Sequence, residues 1–349
     1  MPVPDAEPGD SDILDTRPIA LSLALCAGFG SAAAAACKIE VLGELPVVTI
    51  SNRIVTSGRI NDRPVSVLID TGANFSFLWE DAARALGLPV VPVKGATLYG
   101  IGGPTQVFET NLRSLQLGSY SATDLRLQVI PRSKSQQTVA PALVIGEALL
   151  ARFSTEFDVA HGMIRLLRTD GCAADELPYW SERNFSLAAL ESWDPRQPQI
   201  RTQVVLNGKP INALFDSGAP TSAITRAGAE RVGVAPWRNG TPPTGSIGGL
   251  GQVREESWIG TFATFSLGDE EVKNVSLRIA DFFRDDRVVE LGSHIVREVQ
   301  GLPTLLIGCD FFLAHHMLVR AKERELIFTY NGGPIFQATS PPADAAAQH

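Results

Sequence analysis

The sequence VLIDTGA at residues 67–73 recurs as ALFDSGA at residues 213–219. In both copies an apolar run typical of a buried strand ends at an aspartate, Asp70 or Asp216, and a small hydroxyl residue and a glycine follow. The offset between the copies is 146 residues (216 − 70). A single Asp-Thr-Gly could be an ordinary turn at the end of a strand, since Asp and Gly favour turns. Two copies in matched surroundings indicate a shared role for the two aspartates.

The repeat extends well beyond these two motifs. At the same offset INDRPV (60–65) aligns with LNGKPI (206–211), and the IGG at 101–103 aligns with the IGG at 247–249. Further along, LVIGEALL at 143–150 corresponds to LLIGCDFF at 305–312 after an insertion in the second copy. The repeat has two units, each far longer than a solenoid repeat, so the sequence predicts one duplicated domain.

The order of these features resembles the retropepsin-like aspartic proteases, in particular bacterial exported members with two such units in one chain. The resemblance covers residues from about 47 to about 330. It implies a mainly β fold with two homologous lobes, each of the closed β-barrel type, related by a pseudo-two-fold axis. It also implies an aspartic endopeptidase, which we expect to hydrolyse peptide bonds of an envelope or extracytoplasmic protein. A catalytically silent, peptide-binding protein of the same fold is the alternative.

The resemblance also implies roles for individual residues. Asp70 and Asp216 would form the catalytic dyad. The adjacent residues expected to lock the two loops together are Thr71, Gly72, Ser217 and Gly218. The residues expected to form flaps over the substrate are Tyr99, Gly100, Ile101, Gly102, Gly103, Ser246, Ile247, Gly248 and Gly249. A plain hairpin turn is the alternative for these segments, although both lie thirty residues after an aspartate (100 − 70 and 246 − 216). We expect no cofactor and no metal.

Physical argument from the residues leads to the same chemistry. An aspartate at the end of a buried strand is costly to leave unpaired, and a following glycine lets backbone amides approach the carboxylate. Two carboxyl groups a few ångströms apart cannot both ionise readily, so the pair should hold one proton. The ionised member can then take a proton from the attacking water while the protonated member donates to the scissile carbonyl oxygen.

Charge and composition bear on the partners. The net charge is −8 and the arginines are scattered among acidic residues, which argues against nucleic acid as a partner. The expected partner is a peptide or protein substrate, with membrane contact only if the N-terminal segment is retained. Two aspartates in one chain predict an active monomer, and a dimer that pairs like lobes of two chains is the alternative.

The N-terminal segment predicts export. Residues 18–36 form an uncharged run of apolar and small residues after Arg17, and the run ends in three alanines before Cys37. This pattern fits cleavage by signal peptidase, so we expect a periplasmic or secreted protein. A retained membrane anchor and lipidation at Cys37 are the alternatives.

Cysteine positions agree with an oxidising compartment. Cys37 lies just before the first lobe and Cys172 follows the last apparent strand of that lobe. We expect a disulfide between them, with two unlinked thiols as the alternative. Cys309 lies in an apolar run that reads as a strand, and we expect it to be a buried free thiol.

The repeat divides the chain into five expected segments. They are a signal peptide or N-terminal anchor (1–36), a first protease lobe (37–180), a connector (181–194), a second protease lobe (195–336) and a disordered tail (337–349). Prolines and tryptophans between the lobes indicate a connector, in which we expect a short helix at 187–190.

Overall fold

The structure is a computed structural model that describes residues 36–100, 103–132, 141–181, 184–195, 197–248, 254–282, 287–289, 296–298 and 302–336. The leader expected at 1–36, except for Ala36, and the tail expected at 337–349 lie outside these residues. Strands dominate the described part of the chain, which confirms the predicted mainly β class. No helix in these ranges is long and apolar enough to cross a membrane.

The first half of the described chain contains ten strands and two short helices. They are β1 (Lys38–Ile50), β2 (Arg53–Ile60), β3 (Arg63–Asp70), β4 (Phe77–Trp79), α1 (Glu80–Ala85), β5 (Val91–Gly100), β6 (Gly103–Leu117), β7 (Tyr120–Ile130), β8 (Leu143–Gly146), α2 (Glu147–Leu150), β9 (Ser154–Asp158) and β10 (Met163–Asp170). We call this half lobe 1.

The second half repeats this order with two further strands inserted before the equivalent of β8, and we call it lobe 2. Its described elements are β11 (Ser186–Ala189), β12 (Arg201–Leu206), β13 (Lys209–Phe215), β14 (Ala223–Ile224), α3 (Arg226–Arg231), β15 (Gly245–Ile247), β16 (Glu255–Leu267), β17 (Glu270–Ile279), β18 (Arg287–Val289), β19 (Val296–Glu298), β20 (Leu305–Ile307), α4 (Cys309–Ala314), β21 (His315–Arg320) and β22 (Glu325–Tyr330). Short 3₁₀ segments lie at Val159–His161, Ala174–Glu176 and Pro236–Asn239.

Each lobe contains a closed six-stranded barrel. In lobe 1 the strand order is β2-β3-β8-β4-β7-β6, and β6 pairs back onto β2 through Leu115 and Ile60. In lobe 2 the equivalent order is β12-β13-β20-β14-β17-β16, and the barrel closes where Leu206 pairs with Phe265. Alternate residues of β12 are buried, as a strand with one face on a core requires. The two predicted barrel lobes are therefore confirmed.

A six-stranded antiparallel sheet joins the lobes. Its order is β1-β10-β9-β21-β22-β11, so each lobe contributes three strands in mirrored sequence. The central pair is β9 with β21, where Phe157 lies opposite Met317. The pseudo-two-fold axis passes between these two strands. Since both lobes supply this sheet, their relative position is fixed by backbone hydrogen bonds.

The apolar core is continuous between the lobes. Phe157 of lobe 1 packs edge-on against Phe312 of lobe 2, with 5.1 Å between ring centroids, and Phe312 in turn contacts Phe215. All three rings are fully buried. Each such ring contributes roughly 2–3 kcal/mol by leaving water, so the junction is stabilised by burial as well as by the sheet.

The predicted disulfide is present between Cys37 and Cys172. Strands β1 and β10 pair antiparallel with Lys38 opposite Asp170, which brings the two cysteines together just beyond the end of the ladder. The bridge ties the start of the described chain to the end of lobe 1.

Two local expectations were wrong. The stretch 187–190 is not helical: β11 occupies Ser186–Ala189 and pairs with β22 of the inter-lobe sheet. The open edge of β22 offers hydrogen bonds that a four-residue helix could not match. Cys309 is a buried free thiol as expected, but it begins helix α4 and is not in a strand. The expected domain bounds remain predictions.

Candidate active site

The two aspartates occupy equivalent positions at the ends of equivalent strands. Asp70 is the last residue of β3, and Asp216 directly follows β13. Each strand is held by an apolar core and runs parallel to a neighbour, β8 or β20. The chain therefore delivers both carboxyl groups to the same place, on the surface between the lobes.

Each carboxylate is held by the amides of its own loop. Asp70 Oδ1 accepts hydrogen bonds from the backbone N–H of Gly72 at 3.0 Å and of Ala73 at 3.1 Å. Asp216 Oδ1 accepts the equivalent pair from Gly218 at 3.0 Å and Ala219 at 3.1 Å. The repeat in sequence is thus a repeat in geometry.

The two carboxyl groups meet across the pseudo-two-fold axis. A Cβ atom added to Gly72 would lie 2.4 Å from Cγ of Asp216, and one added to Gly218 would lie 2.4 Å from Cγ of Asp70. Each aspartate therefore sits over the glycine of the other loop, at a distance that excludes any side chain there. The predicted convergence of Asp70 and Asp216 within one chain is present in the structure.

Thr71 and Ser217 brace the two loops against each other. The backbone N–H of Thr71 donates to Ser217 Oγ at 3.0 Å, and the N–H of Ser217 donates to Thr71 Oγ1 at 3.0 Å. The hydroxyls then donate across the axis, from Thr71 to the carbonyl oxygen of Phe215 and from Ser217 to that of Ile69, both at 2.8 Å. Both side chains are fully buried. This network holds the aspartates in register.

The late glycine of each repeat supports the aspartate loop from beneath. The N–H of Gly146 donates to Ser76 Oγ at 3.1 Å, and the N–H of Gly308 donates to Ser222 Oγ at 2.9 Å. A Cβ at Gly146 would lie 2.5 Å from the carbonyl oxygen of Phe75, so backbone contact requires glycine here.

The two lobes differ in the residue that contacts the serine beneath the aspartate loop. Asp310 accepts hydrogen bonds from the backbone N–H and the hydroxyl of Ser222, at 3.0 and 2.7 Å. Its counterpart in lobe 1 is Ala148, so Ser76 has no equivalent carboxylate partner at that position. The support of the two loops has therefore diverged.

Electrostatics make the aspartates a coupled pair. Desolvation first, and the charge of Asp216 second, raise the pKa of Asp70 from 3.8 to about 8. Desolvation also raises the pKa of Asp216, while hydrogen bonds from Ala219 and Gly218 and the charge of Arg53 oppose the rise. Both aspartates keep some exposed surface, but their carboxyl groups are enclosed by the two loops. The pair consequently keeps one proton over a wide pH range.

Two site residues escaped the sequence interpretation. Arg53 Nε donates to the carbonyl oxygen of Gly218 at 3.1 Å, and Gln199 Nε2 donates to that of Gly72 at 3.3 Å. Each side chain reaches from one lobe to the aspartate loop of the other. The sequence repeat could have revealed this pair, because residues 53 and 199 are separated by the same 146 residues as Asp70 and Asp216. Their different residue types concealed the equivalence.

The glycine-rich segments lie on hairpins, as predicted. In lobe 1, β5 pairs with β6 so that Gly100 lies opposite Gly103, and the tip residues Ile101 and Gly102 fall outside the described residues. In lobe 2, β15 pairs with β16, and Gly249 falls outside them. The backbone of Tyr99 belongs to β5, that of Ser246 and Ile247 to β15, and Gly248 follows β15. The role of these hairpins as flaps remains a prediction.

An apolar cluster connects each hairpin to its barrel. In lobe 1 the buried members are Phe77, Trp79, Val107, Ile130 and Val144, and Leu98 of β5 packs against them. In lobe 2 they are Leu214, Ala223, Phe282 and Leu306, and Ile247 of β15 packs against them. Ala73 of the Asp70 loop packs against the lobe 1 cluster, and the lobe 2 cluster includes Leu214, two residues before Asp216.

A solved structure described as a retropepsin-like aspartic protease from Rickettsia conorii is 17% identical over 38% of this chain and 94% of its own, with a TM-score of 0.27. The search of curated proteins returns no match.

The family comparison covers both repeats. A family described as aspartyl protease matches residues 56–146 and 202–311, more than half of the chain. The first matched segment contains Asp70 and ends at Gly146, and the second contains Asp216 and Gly308. This chain therefore belongs to the aspartyl protease family.

Proposed function

We propose that the chain is an aspartic endopeptidase in which Asp70 and Asp216 activate water for hydrolysis of a peptide bond. The observation that carries the proposal is the reciprocal placement of each carboxyl group over the glycine of the other loop. A water molecule bound by both carboxyl groups would be the nucleophile. One shared proton then supplies an acid and a base at the same point.

The substrate would be an extended peptide lying between the dyad and the two hairpins. Leu98 of β5 and Ile247 of β15, which are partly exposed above these clusters, would contact apolar side chains on either side of the cleaved bond. Burial of such side chains contributes roughly 1.5–3 kcal/mol each, which is enough to select among peptides. We further propose that the substrate is a protein of the cell envelope or the extracytoplasmic space.

Export belongs to the same proposal. The Cys37–Cys172 disulfide supports it, because such bridges form and persist mainly in oxidising compartments. The leader that would direct export lies outside the described residues.

The test is a peptidase assay with the full chain on a diverse peptide library, read by mass spectrometry, with and without pepstatin. We expect cleavage between apolar residues, and loss of at least about a thousandfold in rate for Asp70→Asn and Asp216→Asn. Asp269→Asn, at an exposed turn, is the matched control and should retain full rate. Peptide binding without cleavage would favour the silent alternative. A rate within about tenfold of the parent in either dyad variant would contradict the mechanism.

A further inference from the structure

The two aspartate loops receive chemically different donors at equivalent points. Arg53 Nε donates to the carbonyl oxygen of Gly218, whereas Gln199 Nε2 donates to that of Gly72. Arg is charged at every accessible pH and Gln is neutral. At these two equivalent donor positions the pseudo-two-fold symmetry is therefore broken by one unit of charge.

Each donor is connected to one aspartate through a single peptide group. The carbonyl of Gly218 and the N–H of Ala219 belong to the same peptide group, and that N–H donates to Asp216 Oδ1 at 3.1 Å. In the other lobe the carbonyl of Gly72 and the N–H of Ala73 form the equivalent group, which donates to Asp70 Oδ1 at 3.1 Å. A cation on the carbonyl polarises the peptide and strengthens its N–H as a donor. Although the two hydrogen bonds are equally long, we expect the Asp216 carboxylate to receive the stronger one.

Three other titratable groups lie beneath the two loops. Glu147 begins α2 beneath the Asp70 loop, and desolvation raises its pKa well above its ordinary range, which disfavours a charge there. Cys309 begins α4 beneath the Asp216 loop, and its thiol is neutral because desolvation raises its pKa to about 12. Asp310 lies on the Asp216 side and its charge opposes that of Arg53; it accepts hydrogen bonds from Ser222 and Phe311, and the charge of Arg53 still lowers the pKa of Asp216.

We infer that Arg53 is a positioning residue that makes Asp216 the ionised member of the dyad and leaves the shared proton on Asp70. The inference rests on the proposed peptidase function for its catalytic meaning, but the unequal charge distribution exists without turnover.

The assignment fixes the direction of proton transfer. Water attacks the scissile carbonyl carbon, its proton passes to the Asp216 carboxylate, and the Asp70 proton passes to the carbonyl oxygen as the C=O π bond opens. In the second step Asp216 returns its proton to the leaving nitrogen, Asp70 takes one from a hydroxyl of the tetrahedral intermediate, and the C–N bond breaks. The dyad is then restored with the proton on Asp70.

The first experiment measures the pKa of each aspartate carboxyl group and does not require peptidase activity. Full-length protein labelled with 13C at aspartate carboxyls is titrated by NMR in Asp70→Asn, where Asp216 remains, and in Asp216→Asn, where Asp70 remains. Arg53→Gln is then added to each. We expect this change to raise the pKa of Asp216 by about half to one unit and to move that of Asp70 by much less. Equal shifts, or no shift at Asp216, would overturn the inference even if the protein proves to be a peptidase.

The second experiment uses the dependence of kcat/KM on pH. Arg53→Gln should move the acid limb upward by about half to one unit, and Arg53→Lys, which keeps the charge, should move it less. The exchange variant Arg53→Gln with Gln199→Arg should return the acid limb of the pH profile to its position in the parent. In this variant a cation again donates to the carbonyl of one aspartate loop. A uniform loss of rate with an unmoved limb would show a purely structural role and overturn the inference. Thermal unfolding confirms that each variant is folded, and a parent without peptidase activity would contradict the proposed function while the NMR titration still decides the inference.

Discussion

Glu156 of lobe 1 and His316 of lobe 2 are joined by a buried hydrogen bond of 2.9 Å between Oε1 and Nε2, at the centre of the inter-lobe sheet. Arg165 Nη1 also donates to Glu156 Oε1 at 2.6 Å, and the hydroxyl of Tyr179 donates to the other oxygen. Trp180 stacks on the His316 ring, with 4.0 Å between centroids. A polar cluster thus occupies the plane where the lobes meet.

The first prediction is that Glu156→Gln destabilises the protein at neutral pH and much less in acid. Burial alone would raise the pKa of Glu156, but hydrogen bonds from His316 and Tyr179 and the charge of Arg165 lower it below 4.5. A carboxyl group whose pKa is lower in the folded state stabilises the folded protein at pH values above its unfolded-state pKa. That stabilisation is lost as the pH falls through the folded-state pKa. We expect a loss of about 2–4 kcal/mol at pH 7.

Urea unfolding at several pH values measures this effect. Glu271→Gln, at an exposed position, is the control and should change stability little. A difference between parent and Glu156→Gln that stays constant from neutral pH down to pH 3 would contradict the prediction.

The second prediction concerns the brace between the aspartate loops. Thr71→Val keeps the side-chain shape but removes the hydroxyl, so the Ser217 N–H and the Phe215 carbonyl lose buried partners. We expect a loss of about 2–4 kcal/mol in the free energy of unfolding, because unsatisfied buried polar groups are costly. Thr71→Ser retains the hydroxyl and is the matched control. Equal stability of the two variants would show that the brace contributes nothing.

Features carried by short sequence patterns could be predicted. The repeat located Asp70 and Asp216, and the positions of Cys37 and Cys172 around one lobe predicted their pairing, since both depend on local motifs and chain order. The equivalence of Gly146 and Gly308 was visible in the same way.

Features that arise only when the lobes meet could not be predicted. The helix expected at 187–190 became β11 because β22, distant in sequence, supplies the pairing edge. Glu156 and His316 meet across β9 and β21, which no local pattern connects. Gln199 was overlooked because its role depends on a carbonyl of the other lobe, and side chains of different type can fill equivalent positions.

The third prediction is that the disulfide stabilises the folded protein. Its cysteines are separated by 135 residues, and closing a loop of that length lowers the conformational entropy of the unfolded chain, which raises the free energy of that state by roughly 3–5 kcal/mol. The variant Cys37→Ser with Cys172→Ser should unfold at lower denaturant than the oxidised parent. Reductant should destabilise the parent and leave the double variant unchanged, which excludes an effect through Cys309.

Peptide mapping of the native protein tests the accompanying prediction of export. Protein recovered from the envelope fraction should begin near Cys37 and contain the Cys37–Cys172 bridge. Two free thiols in exported protein would reject the bridge, and retained residues 1–36 would favour the anchor.

The last prediction is that one chain forms a complete site. Asp70 and Asp216 face each other within the chain, and the inter-lobe sheet holds the lobes together with three strands from each. Activity per mole should therefore be independent of dilution, and mixing Asp70→Asn chains with Asp216→Asn chains should produce no activity. If two chains exchanged lobes, the mixture would contain one site with both aspartates intact and activity would return. If like lobes paired between chains, each variant alone would keep one intact pair. Activity in the mixture or in either variant alone, together with a loss of rate on dilution, would therefore contradict the single-chain site, and each result would identify which arrangement replaces it.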